Sequence, residues 1–337
     1  MKRRKNREKL LTLKSKNILV TGGCGFIGSH LVDMITQESP GQIIVIDRDI
    51  KKKRPNLVKA FKNFPRIKLF QLNVSNYKNI VEVLKKFKVD VVFHLAALSL
   101  VESLVHPKKV VLSNVRMVVN LLELQRLGFF KTLILVSSSE AYGTAETYPM
   151  SEKHFLQPTT PYAASKAATD LIALSYNKTF KNDVAIVRPF NNYGPRQNPF
   201  FKGIVTHTIE LLLANKSPVL YGKGEQTRDY IFVRDTVTGM LEVYKHKSTR
   251  GQIINLGSGR MIKIKDLVNK LIKISGKKIR PSFLGARVAD VRNHCADIRV
   301  AKRLLGWEPE VSLEKGLKET YEWYKRGIKL TYPAKRV

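Results

Sequence analysis

The sequence predicts an α/β fold: a doubly wound parallel sheet with a smaller region interleaved toward the C-terminus. Three observations predict it. Runs such as NILVTGG, QIIVIDR and DVVFHLAA are apolar at nearly every position, as strands buried on both faces are. Helical stretches separate them, as the crossovers between parallel strands require. The first strand also runs directly into a glycine-rich turn, TGGCGFIGSH, that opens a helix.

NILVTGG is the first strand, and the helix after the glycines is expected over about 26–35. QIIVIDR and IKLFQLNV are the second and third strands, and the amphipathic NIVEVLKKF precedes a fourth, DVVFHLAA. A long helix is expected over about 114–127, then a fifth strand in KTLILVSSS. TPYAASKAATDLIALSYNKTF is a second long helix and DVAIVRP a further strand. After Pro189 the texture changes, and FNNYGPRQNPF, rich in Asn, Gly and Pro, reads as loop. IINLGSG reads as one more strand with a tight turn, and the last third alternates basic helices with loops. The expected division is a basic tail over 1–15, a dinucleotide-binding region over 16–188 and 230–258, and a substrate-binding region over 189–229 and 259–330.

The 337 residues hold 60 Lys+Arg against 27 Asp+Glu, a net charge of +33. A chain this basic attracts polyanions. The cations are nevertheless dispersed, apart from MKRRKNREK at the start, which has no apolar periodicity and reads as a solvated tail. Weak attraction to anionic surfaces is expected of it, and specific nucleic-acid binding is not. No apolar run approaches the ~18 residues of a membrane span, and no signal-peptide pattern opens the chain, so a cytoplasmic location is expected. Cys24 and Cys295 are too few for a disulfide framework and form no metal-ligand spacing; no metal is expected.

Gly22, Gly25 and Gly28 occupy the turn after the first strand, where they allow a tight bend and close approach of the backbone to a pyrophosphate. Asp47 closes the second strand 19 residues after Gly28, placed to accept hydrogen bonds from ribose hydroxyls; this favours NAD over NADP, with Arg48 beside it. Tyr162 and Lys166 in PYAASK lie four apart, hence on one helical face. A phenol near pKa 10 is a poor base at neutral pH, and a neighbouring ammonium is expected to lower it.

Together with HLAA at 94–97, Asn114 and Asn120, the serine-rich strand end SSSEAYG, RPFNNYGPRQ, GEQTRDYIFVRD and NLGSG, these pieces resemble the extended short-chain dehydrogenase/reductases. That family comprises nucleotide-sugar epimerases, dehydratases and decarboxylases, and the resemblance runs from about Asn17 to Trp307. It implies a Rossmann domain, tightly bound and recycled NAD, a nucleoside-diphosphate sugar as substrate, and a homodimer formed through a four-helix bundle. It implies cofactor contacts from Gly22, Gly25, Phe26, Ile27, Gly28, Asp47, Arg48, Asn73, Val74, Leu95, Ala96, Ala97 and Asn114, and from Tyr162 and Lys166. Asn73 departs from the Asp that many members carry there. Asn191, Arg196, Arg228 and Arg287 stand where the family grips the diphosphate. Tyr162 would take the proton of the sugar 4-hydroxyl, Lys166 would hold the cofactor ribose, and Ser138 would bond the same sugar oxygen.

The triplet Ser138-Ser139-Glu140 separates the reactions. Once a 4-keto sugar exists its C5 proton is acidic, and a carboxylate at Glu140 can remove it so that the 6-hydroxyl leaves as water. Simple 4-epimerases need no such base. The expected activity is therefore a nucleotide-sugar 4,6-dehydratase, with a 4-epimerase as the alternative and a UDP-uronate decarboxylase after it.

Overall fold

The computed structural model describes residues 10–50, 54–199, 203–285 and 293–327. The first half runs β1 (Asn17–Thr21), α1 (Phe26–Ile35), β2 (Gln42–Asp47), α2 (Val58–Asn63), β3 (Ile67–Gln71), α3 (Tyr77–Phe87) and β4 (Val91–His94). It continues with α4 (Leu100–Val105), α5 (Pro107–Arg126), β5 (Thr132–Val136), α6 (Pro161–Phe180) and β6 (Asp183–Pro189). Then come β7 (Asn191–Tyr193), α7 (Ile204–Leu213), β8 (Val219–Tyr221), β9 (Thr227–Phe232), α8 (Val233–Lys245) and β10 (Ile253–Leu256). The chain closes with β11 (Met261–Lys263), α9 (Ile264–Ser275), β12 (Ser282–Leu284), α10 (Arg299–Leu305) and α11 (Leu313–Lys325).

Seven strands form one sheet in the order β10-β6-β5-β4-β1-β2-β3, all parallel. Successive side chains of a strand alternate between faces, and here both faces are covered. Ile18, Val20, Ile43, Val45 and Phe93 pack with α1 and α8 on one side. Leu19, Ile44, Ile46, Val92, Leu133 and Leu135 pack with α3, α5 and α6 on the other. Each fully buried side chain of this kind contributes about 1.5–3 kcal/mol. Strand order reverses between β1 and β4, where Thr21 lies beside His94. In such sheets the crevice at that reversal, beyond the C-terminal strand ends, is where ligands bind.

The smaller region is built on β11-β9-β7 and the pair β12-β8. Its core gathers Tyr193, Ile209, Phe232, Leu267, Leu317 and Tyr321. FNNYGPRQNPF, expected as loop throughout, contributes the short strand β7, which pairs with β9 through Asn191 and Tyr230. The long helix expected from Asn114 begins at Pro107 instead, with proline at its first position, and the unanticipated α4 precedes it. The segment after residue 10, expected as tail, is docked. Leu13 is fully buried, Leu11 N donates to the Lys245 carbonyl at 2.9 Å, and the Tyr244 hydroxyl donates to the Thr12 carbonyl at 3.1 Å. The MKRRKNREK run lies outside the described residues. Among the described residues no helix is long and apolar enough to cross a membrane.

Candidate active site

The glycine turn lies against the HLAA loop at the strand-order reversal. A Cβ on Gly22, whose φ is +70°, would meet the Ala96 nitrogen at 2.8 Å. One on Gly28 would lie 2.3 Å from the Gly22 carbonyl oxygen, so the helix can start this close to the strand only with glycine there. Gly25 caps α1 without any side-chain hydrogen bond, which leaves the helix start, led by Phe26 and Ile27, to an anion. Thr21 ties the facing loop down: its carbonyl accepts from Leu95 N at 3.1 Å, and its hydroxyl meets Ala96 N at 3.3 Å and His94 Nδ1 at 2.7 Å. Ala97 follows in the same loop. His94 is structural, as burial and then the Lys166 charge hold its pKa down to about 3, and no metal-binding group occurs among the described residues.

Asp47 ends β2, buried, with Oδ1 accepting from Asp49 N at 3.1 Å. Arg48 is turned toward α4, where Glu102 receives it at 3.1 Å and receives Lys109 at the same distance. Asn73 uses its carboxamide oxygen on Ser75 N at 3.0 Å, Val74 is buried, and Asn120 donates to both the Val74 and Ser75 carbonyls. A buried carboxylate at the ribose position and an uncapped helix start at the pyrophosphate position suit a dinucleotide. Asn114, expected among the cofactor contacts, is buried. Its carboxamide exchanges hydrogen bonds with Leu98 N and O and donates to Ser165 Oγ at 3.0 Å, so it locks the loop to α6.

Helix α6 begins where Thr160 accepts from Ala163 N and Pro161 presets the first turn. That start places Tyr162 and Lys166 beneath the end of β5. Tyr162 hydrogen-bonds with Ser138, yet burial pushes its phenol up to about 12, and the Glu140 and Asp170 carboxylates push it further. Burial pulls Lys166 down to about 8, opposed by Asp170. The expected lowering of Tyr162 by Lys166 is thus not a property of the protein by itself. The ammonium donates to the Val136 carbonyl at 2.9 Å and stands 6.0 Å from the phenol ring centroid.

Ser138 opens a 3-10 turn over Ser139–Tyr142, its hydroxyl accepting from Glu140 N at 3.2 Å. Ser139 is buried, and its carbonyl meets His294 Nε2 at 3.3 Å. Glu140 is half-buried: burial raises its carboxyl pKa, and the Arg228 guanidinium pulls it back. The Glu140 carboxylate thus lies within electrostatic reach of both the Arg228 guanidinium and the Tyr162 phenol. Arg228 comes from β9, and Asn191 on the neighbouring β7 donates to the Asp229 carbonyl at 3.1 Å. Arg196 does not join them. It pairs with Asp33 of α1 at 2.7 Å, and His30 meets the adjacent Pro195 carbonyl at 2.9 Å, so this arginine fastens the loop to the large sheet's helix. Arg287 lies outside the described residues.

Sequence reasoning missed two anchors. Asp229, fully buried, accepts from Ser258 N (2.7 Å), Ser258 Oγ (2.6 Å), Gly259 N (2.9 Å) and Ala296 N (3.0 Å), binding the NLGSG turn to β9. A Cβ on Gly257 would sit 2.4 Å from the Ala296 Cβ and 2.8 Å from that carboxylate, so the close packing of this turn requires glycine. The second anchor is Asp170, paired with Arg188; its one sequence signal is its position four residues after Lys166.

Residues 19–320 match the family model described as GDP-mannose 4,6 dehydratase. The UDP-glucuronate 4-epimerase of Thermodesulfobacterium geofontis is 34% identical over 321 residues, covering 93% of this chain and 97% of that protein. The chain is a member of the extended short-chain dehydrogenase/reductases. Solved members share the architecture. The UDP-glucose 4-epimerase of Thermotoga maritima with UDP-glucose superposes with a TM-score of 0.86 at 31% identity, covering 93% of this chain and all of that one. The dTDP-glucose 4,6-dehydratase of Bacillus anthracis in complex with NAD gives 0.83 at 31%, covering 94% and 98%. As a member of this nucleotide-sugar epimerase and dehydratase family the chain is an enzyme.

Proposed function

We propose that this enzyme is an NAD-dependent nucleotide-sugar 4,6-dehydratase. The observation that carries the reading is Glu140: a half-buried carboxyl, its pKa raised by burial, whose charge acts on the Tyr162 phenol. When bound, NAD supplies the acceptor for the C4 hydride and returns that hydride at C6. Tyr162 takes the 4-hydroxyl proton, and the Ser138 hydroxyl holds the same oxygen. The phenol must first lose its own proton, which the Ser138 hydrogen bond favours. Glu140 then removes the C5 proton, made acidic by the C4 carbonyl, and the C5–C6 double bond forms as the 6-hydroxyl leaves. Ser139 is too weak an acid to protonate that hydroxyl, so the proton just taken by Glu140 goes to it and leaves in the water, and C5 takes up a proton from solvent as the hydride returns at C6. Arg228 and Asn191 hold the diphosphate, where a planar guanidinium matches phosphate oxygens.

The test is incubation with UDP-, dTDP- and GDP-sugars and analysis for a 4-keto-6-deoxy product. In Glu140→Gln, hydride transfer from the sugar is expected to survive within about threefold while water loss falls by about 10³, within the range of a lost general base. Equal loss of both steps would remove the base role. The second reading, a 4-epimerase, is favoured by the UDP-glucuronate 4-epimerase relative; it predicts only the C4 epimer and near-indifference to Glu140→Gln. Release of carbon dioxide from a UDP-uronate would point to the decarboxylase instead.

The same reading makes the enzyme a cytoplasmic homodimer. Helices α5 and α6 pack together and expose Leu112, Leu171 and Phe180, which suit burial against a second copy. It also keeps the division into a NAD-binding region and a nucleotide-sugar-binding region.

A further inference from the structure

The group best placed to govern the charge of Lys166 lies one turn further along α6. Asp170 is fully buried, and a spacing of four puts it on the Lys166 face of the helix. Its Oδ2 accepts from Arg188 Nε and from Ser137 Oγ, both at 2.8 Å. Its Oδ1 is buried with no hydrogen-bond partner among the described residues. Arg188 is equally buried and lies 4.5 Å over the Tyr142 ring, whose hydroxyl donates to Asn255 at 2.8 Å. The carboxylate is thus tied to β6 and to the residue that follows β5. A buried pair of this kind is poor at raising net stability, because desolvation offsets most of its attraction, so another role is called for.

The groups facing Lys166 come from every neighbouring element. Helix α6 contributes Tyr162 and Asp170, and the end of β5 contributes the Val136 carbonyl, with Ser137 just after it. Strand β4 contributes His94, kept neutral by burial, and β6 contributes Arg188, matched by Asp170. Glu140, from the turn after β5, acts on Tyr162. Of these, Asp170 is the charge that favours the ammonium; burial works against it.

We propose that Asp170 is a positioning residue of the hydride-transfer site, whose carboxylate, locked by Arg188 and Ser137, keeps Lys166 an ammonium anchored on the Val136 carbonyl and facing Tyr162. The inference rests on the roles given to Tyr162 and Lys166 above. Its test is a direct titration of Lys166 in the full chain by NMR of ¹³C-labelled lysine, with Lys166→Arg identifying the resonance. Asp170→Asn is expected to lower the Lys166 midpoint by about one pH unit or more, a roughly tenfold loss of protonation above it. Asp170→Glu is expected to restore the midpoint. If Asp170→Asn folds poorly because Arg188 is left unmatched, Asp170→Asn/Arg188→Gln removes both charges and is read in the same way. An unchanged midpoint in the folded neutral variant, or an equal displacement in Asp170→Glu, overturns the proposal. Because this titration needs no substrate, failure to turn over any nucleotide sugar would overturn the proposed function and not this inference.

Discussion

The two regions of the molecule are held together by different physics. In the seven-stranded sheet the backbone pairs with itself, strand after strand, and apolar residues cover both faces. In the smaller region the strands are three to six residues long, and buried side chains take over the work of joining segments. Asp229 alone collects four donors from the NLGSG turn and the 296 region. The candidate chemistry follows the same line. Tyr162, Lys166 and the serine triplet stand on elements packed against the large sheet, while Arg228 and Asn191 stand on the polar-braced one. The candidate reacting groups sit where displacement is hardest, and the candidate recognition groups sit where few contacts must change to alter specificity.

Three experiments break or sharpen that contrast. The largest effect is expected from Tyr162→Phe, which removes the proton acceptor from the rigid half. Turnover should fall by about 10³ or more, with NAD and nucleotide-sugar affinities kept within about threefold by calorimetry. Loss of affinity to the same degree would mean that Tyr162 holds the fold instead. Next comes Asp229→Ala, which strands three backbone N–H groups in a buried place and should cost about 3 kcal/mol or more. Nucleotide-sugar affinity should drop at least about tenfold while NAD affinity stays within about twofold. A parallel fall in both would show that the two regions do not respond separately.

The smallest effect concerns acid. Burial, then neighbouring cations, holds His94 in the large sheet at about pKa 3 and His294 beside the triplet at about 4. The unfolded chain protonates these rings near pH 6.5, the folded one does not, so stability is lost as pH falls from about 7 toward those folded values. Each ring should contribute about 1 kcal/mol of that loss between about pH 6.5 and 5.5. Denaturant unfolding of His94→Asn and His294→Asn at the two pH values measures it. An acid sensitivity equal to that of the unmodified chain in both variants would show that other groups carry it. Buried carboxyls with raised pKa, such as Glu140 and Asp229, act in the opposite sense.

Much of the fold was legible because parallel strands buried on both faces leave an unbroken apolar signal. β1, β2, β4 and β5 stand where NILVT, QIIVID, VVFH and TLILV put them, and α1 begins right after the glycine turn. Strand β7 was hidden, because a three-residue strand inside FNNYGP has no period to display. The start of α5 was missed because Pro107 reads as a break as readily as a first helical residue. At the site, glycines, Tyr162, Lys166 and the serine-glutamate triplet were legible from local spacing. The partners of Arg196 and Asn114, Asp33 and Ser165, were not legible because they lie far away in sequence.

By itself, then, the order of amino acids determined the sheet, the glycine-lined turn and which residues are candidates for the reacting groups. Periodicity and helical spacing are local quantities, written within a few residues of each other. Tertiary structure alone decided which charges meet: Arg228 with Glu140, Arg196 with Asp33, and Asp170 with Arg188 under Lys166. The energy of a charge depends on its distance to others and on the water excluded around it, and neither exists until the chain has closed on itself.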